Sequence, residues 1–216
     1  MRRRRDEINF YRRLAGHLLI AAGSLLIAAV VAINAADFVR SRSAVTEFNE
    51  AKQHTITMKE DLDDEGISES KISLIPVEEE EKLDLPAVLG VLRIPKIELE
   101  EAIREGSAAS VISSALGHLG DTALPGQQGN CAIAGHRNYV FGRFFNRLNE
   151  IVPGDTIEIE TLETAYHYTV TECFIVEPED ISVLEQMDGQ NLTLITCTPL
   201  FIGSHRLIIR AIRDGD

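Results

Sequence analysis

A thiol, a guanidinium and an imidazole are the side chains in this sequence whose spacing could do covalent chemistry together. Cys197 closes the run "NLTLITC", a loop from Thr198 to His205 containing Pro199 and Gly203 follows, and Arg206 opens the return segment "RLIIRA". Residues two apart on a strand share a face, so Thr193, Ile195 and Cys197 point one way and Leu192, Leu194 and Thr196 the other. On the returning strand Arg206, Ile208 and Arg210 share a face. If the two strands pair as antiparallel neighbours, Cys197 and Arg206 stand near each other at one end. A cysteine with a pKa of about 8.5 is only slightly ionised at neutral pH, so a nearby cation raises its reactive fraction.

Such a thiol needs a base, and six histidines compete for the role. His17 falls in an apolar run and His54 in a polar tether, which removes both. His167 sits mid-strand between Tyr166 and Tyr168 and reads as a partly exposed strand residue. His118 and His205 are loop residues that pattern alone does not dismiss. His136 ends the small-residue strand "CAIAGH", where Gly135 allows close approach, just as Cys197 ends its own strand. Taken with Cys197 and Arg206, it is the strongest partner.

Several strands must position these groups. From Val88 onward, "VLGVLRIPKI", "NCAIAGH", "DTIEIET", "AYHYTVTECFIV", "NLTLITC" and "RLIIRAI" favour strand by alternation and by Ile, Val, Thr and Tyr content, with Pro95 breaking the first. Ala108 to Leu116 and Phe141 to Leu148 favour helix. The expected fold is mostly β, a closed barrel of about eight strands with one or two short helices.

Upstream the chain divides into a basic tail (1–13), an apolar run without Lys, Arg, Asp or Glu (14–36), an acidic linker (37–85) and the barrel domain (86–216). A helix of about 20 residues crosses a bilayer core, so the apolar run is long enough to be a transmembrane anchor. Six arginines precede it, against Asp37 and Arg40 just beyond, which places the N-terminus in the cytoplasm and the barrel domain outside. The competing reading is a signal peptide cut near Ala36, but the run is longer than the usual h-region of about 7–15 residues. Runs such as "KEDLDDEGISES" and "PVEEEEKLD" read as a solvated tether, with Ser43 to Met58 able to continue the helix. The net charge of −13 excludes a general nucleic-acid binder.

Cys131, Cys173 and Cys197 are odd in number and form no zinc-type spacing, so neither a disulfide framework nor a structural zinc site is expected. Cys131 and Cys173 read as small core residues.

The pieces "TLITCTP", "PGQQGNCAIAGHR" and the arginine of "RLIIRA" together resemble the sortases, surface cysteine transpeptidases of Gram-positive bacteria, and look most like class D. The resemblance covers Leu85 to Arg213. It implies that Cys197 is the nucleophile, that His136 protonates the leaving amine and deprotonates the incoming one, and that Arg206 binds the sorting peptide and helps hold the oxyanion. A fixed guanidinium aimed at that developing charge is worth a few kcal/mol. The implied peptide groove is apolar, and Ala134, Thr193, Ile195, Thr196 and Ile208 are its expected residues, with the Pro178 to Met187 loop shaping preference.

Arg137, Arg210 and Arg213 read as surface or peptide-orienting charges. Some sortases bind calcium beside the groove, but Glu158, Glu160, Glu172, Glu177 and Asp180 make no compact cluster here. No metal and no cofactor are expected. The implied activity is cleavage of an L-P-x-T-G type C-terminal sorting signal through a thioester, then transfer of the surface protein to a cell-wall (peptidoglycan) precursor amine. The alternatives are a pilin-polymerising sortase, against which the "DLPAV" of the tether counts, and a cysteine peptidase that hands the thioester to water.

Overall fold

The computed structural model describes residues 2–64, 87–137 and 144–215. The chain forms two units, residues 1–40 and 41–216. Helix α1, Arg2–Asp64, runs through both. In the first unit its stretch Gly16–Ile33 has a mean hydropathy of 2.3 and is not buried at all, so by length and composition it is a candidate membrane span.

The second unit is built on a closed barrel of eight strands in the order β1-β2-β3-β4-β7-β8-β6-β5. The strands are β1 Val88–Ile94, β2 Leu99–Glu105, β3 Leu116–His118, β4 Gly129–Ala134, β5 Thr156–Glu160, β6 Ala165–Val176, β7 Gln190–Thr198 and β8 His205–Arg213. Closure removes every sheet edge, which lets so many short strands persist without a covering layer. Alternate residues fill the interior: Leu92, Ile94, Ile133, Ile157, Ile159, Leu192, Leu194 and Ile209 are all fully buried in one cluster. Tyr168 joins them, its phenol accepting the Gly126 N–H at 2.9 Å, and burial pushes its pKa up to about 12.

The strands expected from alternation are all present. Two more were not anticipated. β2 (LEEAIRE) is rich in helix-forming residues and becomes strand because its residues from Leu99 to Arg104 pair with β1. The helix expected from Ala108 to Leu116 shrinks to α2, Ala109–Ile112, because Leu116–His118 are drawn into β3 between β2 and β4. Of the helix expected at Phe141 to Leu148, residues 141–143 lie outside the described residues. The remainder forms turns and a 3-10 segment at Leu148–Glu150, with Phe144 at φ 46°.

The larger departure concerns the linker. Residues 65–85 lie outside the described residues, but the helix before them is part of the folded unit. Ala44, Val45 and Phe48 are buried against Val91, Ala102 and Ala115 on the outer face of β1, β2 and the β3 approach. Their spacing makes one helical stripe. Glu47 accepts a bond from the buried Arg104 at 2.7 Å, and Lys52 pairs with Glu160, which Arg93 also holds. Burial works to raise the Glu160 pKa, yet Lys52 and Arg93 overcome it and hold the carboxyl below its ordinary value. The stripe is easily missed in sequence because it amounts to three apolar residues among charges.

Candidate active site

The site lies where β7 ends. Its outer neighbours on either side are β8, antiparallel, and β4, parallel. Cys197 pairs with Arg206 across the β7–β8 ladder. On the other flank Ala134 pairs with Ile195, the Gly135 N–H donates to the Ile195 carbonyl at 3.1 Å, and the Thr196 hydroxyl donates to the Gly135 carbonyl at 2.8 Å. His136 follows two residues beyond the last paired residue of β4, so that register leads the chain toward the β7 end. The sequence expectation joined Cys197 to Arg206 through a local hairpin, whereas β4 reaches β7 by a parallel pairing that no local signal announces.

Two glycines make the arrangement possible. A Cβ on Gly135 would lie 2.6 Å from Leu116 Cδ2 and 2.7 Å from Phe145 Cδ2, both in the core, so only glycine lets the β4 end sit this low. Gly203 in the β7–β8 turn has φ +65°, and a Cβ there would meet Cys197 Cβ at 3.5 Å. Its carbonyl accepts from Arg206 Nη1 at 3.1 Å, as does the His205 carbonyl at 3.1 Å, which holds the guanidinium over the strand end. Cys197 and Arg206 are half-buried and His136 is exposed.

Two clefts border this end of β7. One, about 150 Å³, has Ile195, Ile208 and Arg206 on its floor and a wall from the β6–β7 segment that includes Ile181, Val183 and Leu184. The other, about 160 Å³, is lined by Cys197, Arg137 and the turn Pro199–Gly203. Arg137 is anchored by three donations: Nη1 to Thr198 Oγ1 at 2.8 Å, Nη2 to Asn149 Oδ1 at 2.8 Å and Nε to the Asn146 carbonyl at 3.4 Å. Burial lowers its pKa, though far from enough to discharge a guanidinium.

Residues 92–214 match the family model for the sortase domain. The chain belongs to the sortase family. Among its relatives, sortase SrtE1 of Streptomyces coelicolor is 33% identical over 55% of this chain and 38% of its own, and sortase D of Bacillus subtilis is 32% identical over 53% and 57%. The chain thus spans well under two thirds of the curated relatives it matches first. Among solved structures, a lid mutant of sortase A from Corynebacterium diphtheriae is 34% identical over 63% of this chain and 75% of its own, with a TM-score of 0.57. A Clostridium perfringens sortase D5 transpeptidase covers 83% of this chain and 98% of its own at 28% identity and a TM-score of 0.59.

Within this sortase domain the expected groove residues separate. Ile195 and Ile208 line the apolar cleft, and Ala134 is half-buried beside Ile195 without lining it. Thr193 and Thr196 require correction. Thr193 shares the outer face but is fully buried, its hydroxyl donating to Asn130 Oδ1 at 2.7 Å while Asn130 Nδ2 donates to the Val183 carbonyl at 2.9 Å. The β6–β7 segment has closed over it. Thr196 lies on the opposite face and is spent on Gly135. The alternation rule assigned faces correctly but could not see what covers an outer face.

The other histidines also resolve. His118 is buried, with Nδ1 2.8 Å from the Glu105 carboxylate and Nε2 3.0 Å from the Ala123 carbonyl, so both nitrogens are engaged in packing. His205 sits between Ser204 and Glu177, and His167 is exposed beside Glu158. Cys131 is a core residue whose thiol burial pushes up to about 12, and Cys173 donates to the Ile151 carbonyl at 3.4 Å. Both are remote from nucleophilic chemistry. Glu158, Glu160 and Glu172 are each paired with a cation, and no metal-sized cluster of His, Cys, Asp or Glu occurs among the described residues. The sequence pointed to the Pro178 to Met187 loop as shaping preference but did not single out its wall residues Ile181, Val183 and Leu184.

Proposed function

We propose that this chain is a membrane-anchored, class D-like sortase that cleaves an L-P-x-T-G type sorting signal and joins the new carboxyl end to a cell-wall amine. The observation that supports this is the in-register pairing of Cys197 with Arg206 at the β7 end, beside a cleft lined by Ile195, Arg206 and Ile208, with the β4–β7 parallel register leading toward His136. The signal's apolar residues lie over Ile195 and Ile208. The Cys197 thiolate attacks the Thr–Gly carbonyl carbon, forming a C–S bond. Arg206 donates to the carbonyl oxygen as it becomes an oxyanion, an interaction present only at the transition state. As the intermediate collapses the C–N bond breaks and His136 protonates the departing glycine nitrogen. The incoming amine then loses its proton to His136, attacks the thioester and returns the thiolate.

The apolar stretch Gly16–Ile33 and the arginines before it support an anchored enzyme with a cytoplasmic N-terminus and an extracellular domain, where signal and acceptor meet it. The test is incubation of the full chain in detergent micelles with a panel of L-P-x-T-G and L-P-x-T-A peptides, following Cys197 by intact mass. An adduct of the peptide's N-terminal fragment, absent in Cys197→Ala and resolved faster by added amine, is the expected result. An adduct resolved at the same rate with and without amine makes the protein a peptidase. No adduct on any peptide, with folding verified, removes Cys197 from the chemistry.

A further inference from the structure

The two clefts share no lining residue, and the outer face of β7 contributes to each. Ile195 faces the apolar cleft, and Cys197, two residues on, faces the cleft closed by the turn Pro199–Gly203. An acyl chain lying over Ile195 and Ile208 with its carbonyl at the sulfur sends its leaving amine toward the second cleft. By microscopic reversibility the incoming amine occupies the place the leaving amine vacates. The second cleft therefore receives the acceptor.

Among the described residues that line it, the charged one is Arg137. Arg93, Arg104, Arg147 and Arg210 each pair with a glutamate, in a chain with a net charge of −13. Arg137 is held instead by a hydroxyl, an amide oxygen and a peptide carbonyl, and among the described residues no carboxylate pairs with it. Those three bonds fix the fork in place and leave its charge without a carboxylate in the cleft that Cys197 also lines. The departing glycine of a sorting signal has its carboxyl tied up in a peptide bond and offers this cation no counter-charge.

Resting on the transpeptidation proposed above, we infer that the cleft of Arg137 and the β7–β8 turn is an acceptor subsite for an amine bearing a free carboxylate one or two carbons away, with that carboxylate on the Arg137 guanidinium. The occupant is thus an amino-acid end of a wall peptide rather than an amidated or purely cationic amine. The nitrogen lone pair forms the new C–N bond, the C–S bond breaks to the thiolate, and the amine proton passes to His136. Binding by the carboxylate also favours acceptor over return of the released tail.

The full chain in micelles is acylated with an L-P-x-T-G peptide and the thioester is resolved by glycine, glycinamide, β-alanine or β-alaninamide. The readout is the ratio of aminolysis rate constants, carboxylate over amide, in wild type, Arg137→Gln and Arg137→Lys. Differences in amine basicity cancel when the ratio is compared between variants. The expected result is a ratio at least tenfold lower in Arg137→Gln and partly kept in Arg137→Lys. In the wild type, N-acetylglycine should compete with glycinamide, a measurement that needs no variant to fold. A ratio equal in all three proteins, or no competition by N-acetylglycine, overturns the inference while leaving transpeptidation intact. A loss confined to acylation overturns it too, since Arg137 would then act on the thiol. Failure to form any thioester sinks the underlying reading instead.

Discussion

Arg206 is the residue whose role the geometry constrains most narrowly. It faces Cys197 in register and is held by two backbone carbonyls, so its charge is fixed at the strand end where the proposed mechanism puts the oxyanion. Arg206→Ala is expected to lower acylation by roughly 10²–10³-fold, the loss typical of one oxyanion donor. Arg206→Lys should recover only part, because a single ammonium cannot bond both carbonyls and still present a second donor to the substrate. Stopped-flow or quenched mass spectrometry of the acyl-enzyme measures this. An Arg206→Ala enzyme that acylates within twofold of wild type would remove the residue from the transition state.

At the level of elements, the proposed role of His136 needs the end of β4 to sit low against the core, and Gly135 permits it. Gly135→Ala forces a methyl against Leu116 and Phe145, and overpacking of this kind costs about 1–3 kcal/mol. The expected outcome is a lowered Tm together with a loss of kcat larger than the change in KM, because the displaced group is His136 and not the cleft. The contact of α1 with β5 has its own signature. The Glu160 carboxyl is held below its ordinary value, so its stabilisation is complete above about pH 4.3 and is lost as pH falls through the lower folded value. The difference in Tm between wild type and Glu160→Gln should be present at pH 7 and narrow as pH falls below the ordinary carboxyl range. A gap that does not change as the solution is acidified would show that the Lys52 and Arg93 pairs contribute nothing by charge.

The whole folded unit begins at residue 41, not at the first strand. Phe48 and Val45 cover Val91, Ala102 and Ala115, and burial of each large side chain is worth about 1.5–3 kcal/mol. A chain cut to start at residue 87 is expected to melt roughly 10 °C below one starting at residue 41, and to bind a hydrophobic dye where the helix lay. Equal melting temperatures would mean that the helix merely rests on the barrel. The cell-surface reading adds a constraint of its own at this scale, since part of the segment that leads from the apolar span is folded onto the domain that acts on substrate.

Much was readable from sequence because it rests on short-range periodicity. Alternation located six of the strands and assigned their faces, and Cys197 and Arg206 could be joined because a short turn between two strands leaves little choice but antiparallel pairing. Charge and length likewise located the apolar span. Three things needed the tertiary structure. The parallel register of β4 on β7, which leads toward His136, links segments far apart in the chain, and its backbone bonds carry no side-chain signature. β2 and β3 are strands only because neighbours pair with them. Thr193 is removed from the groove, and Arg137 is brought into the second cleft, by loops whose paths depend on everything they pack against. Residue pattern determines which face a side chain takes, but only packing decides what covers that face.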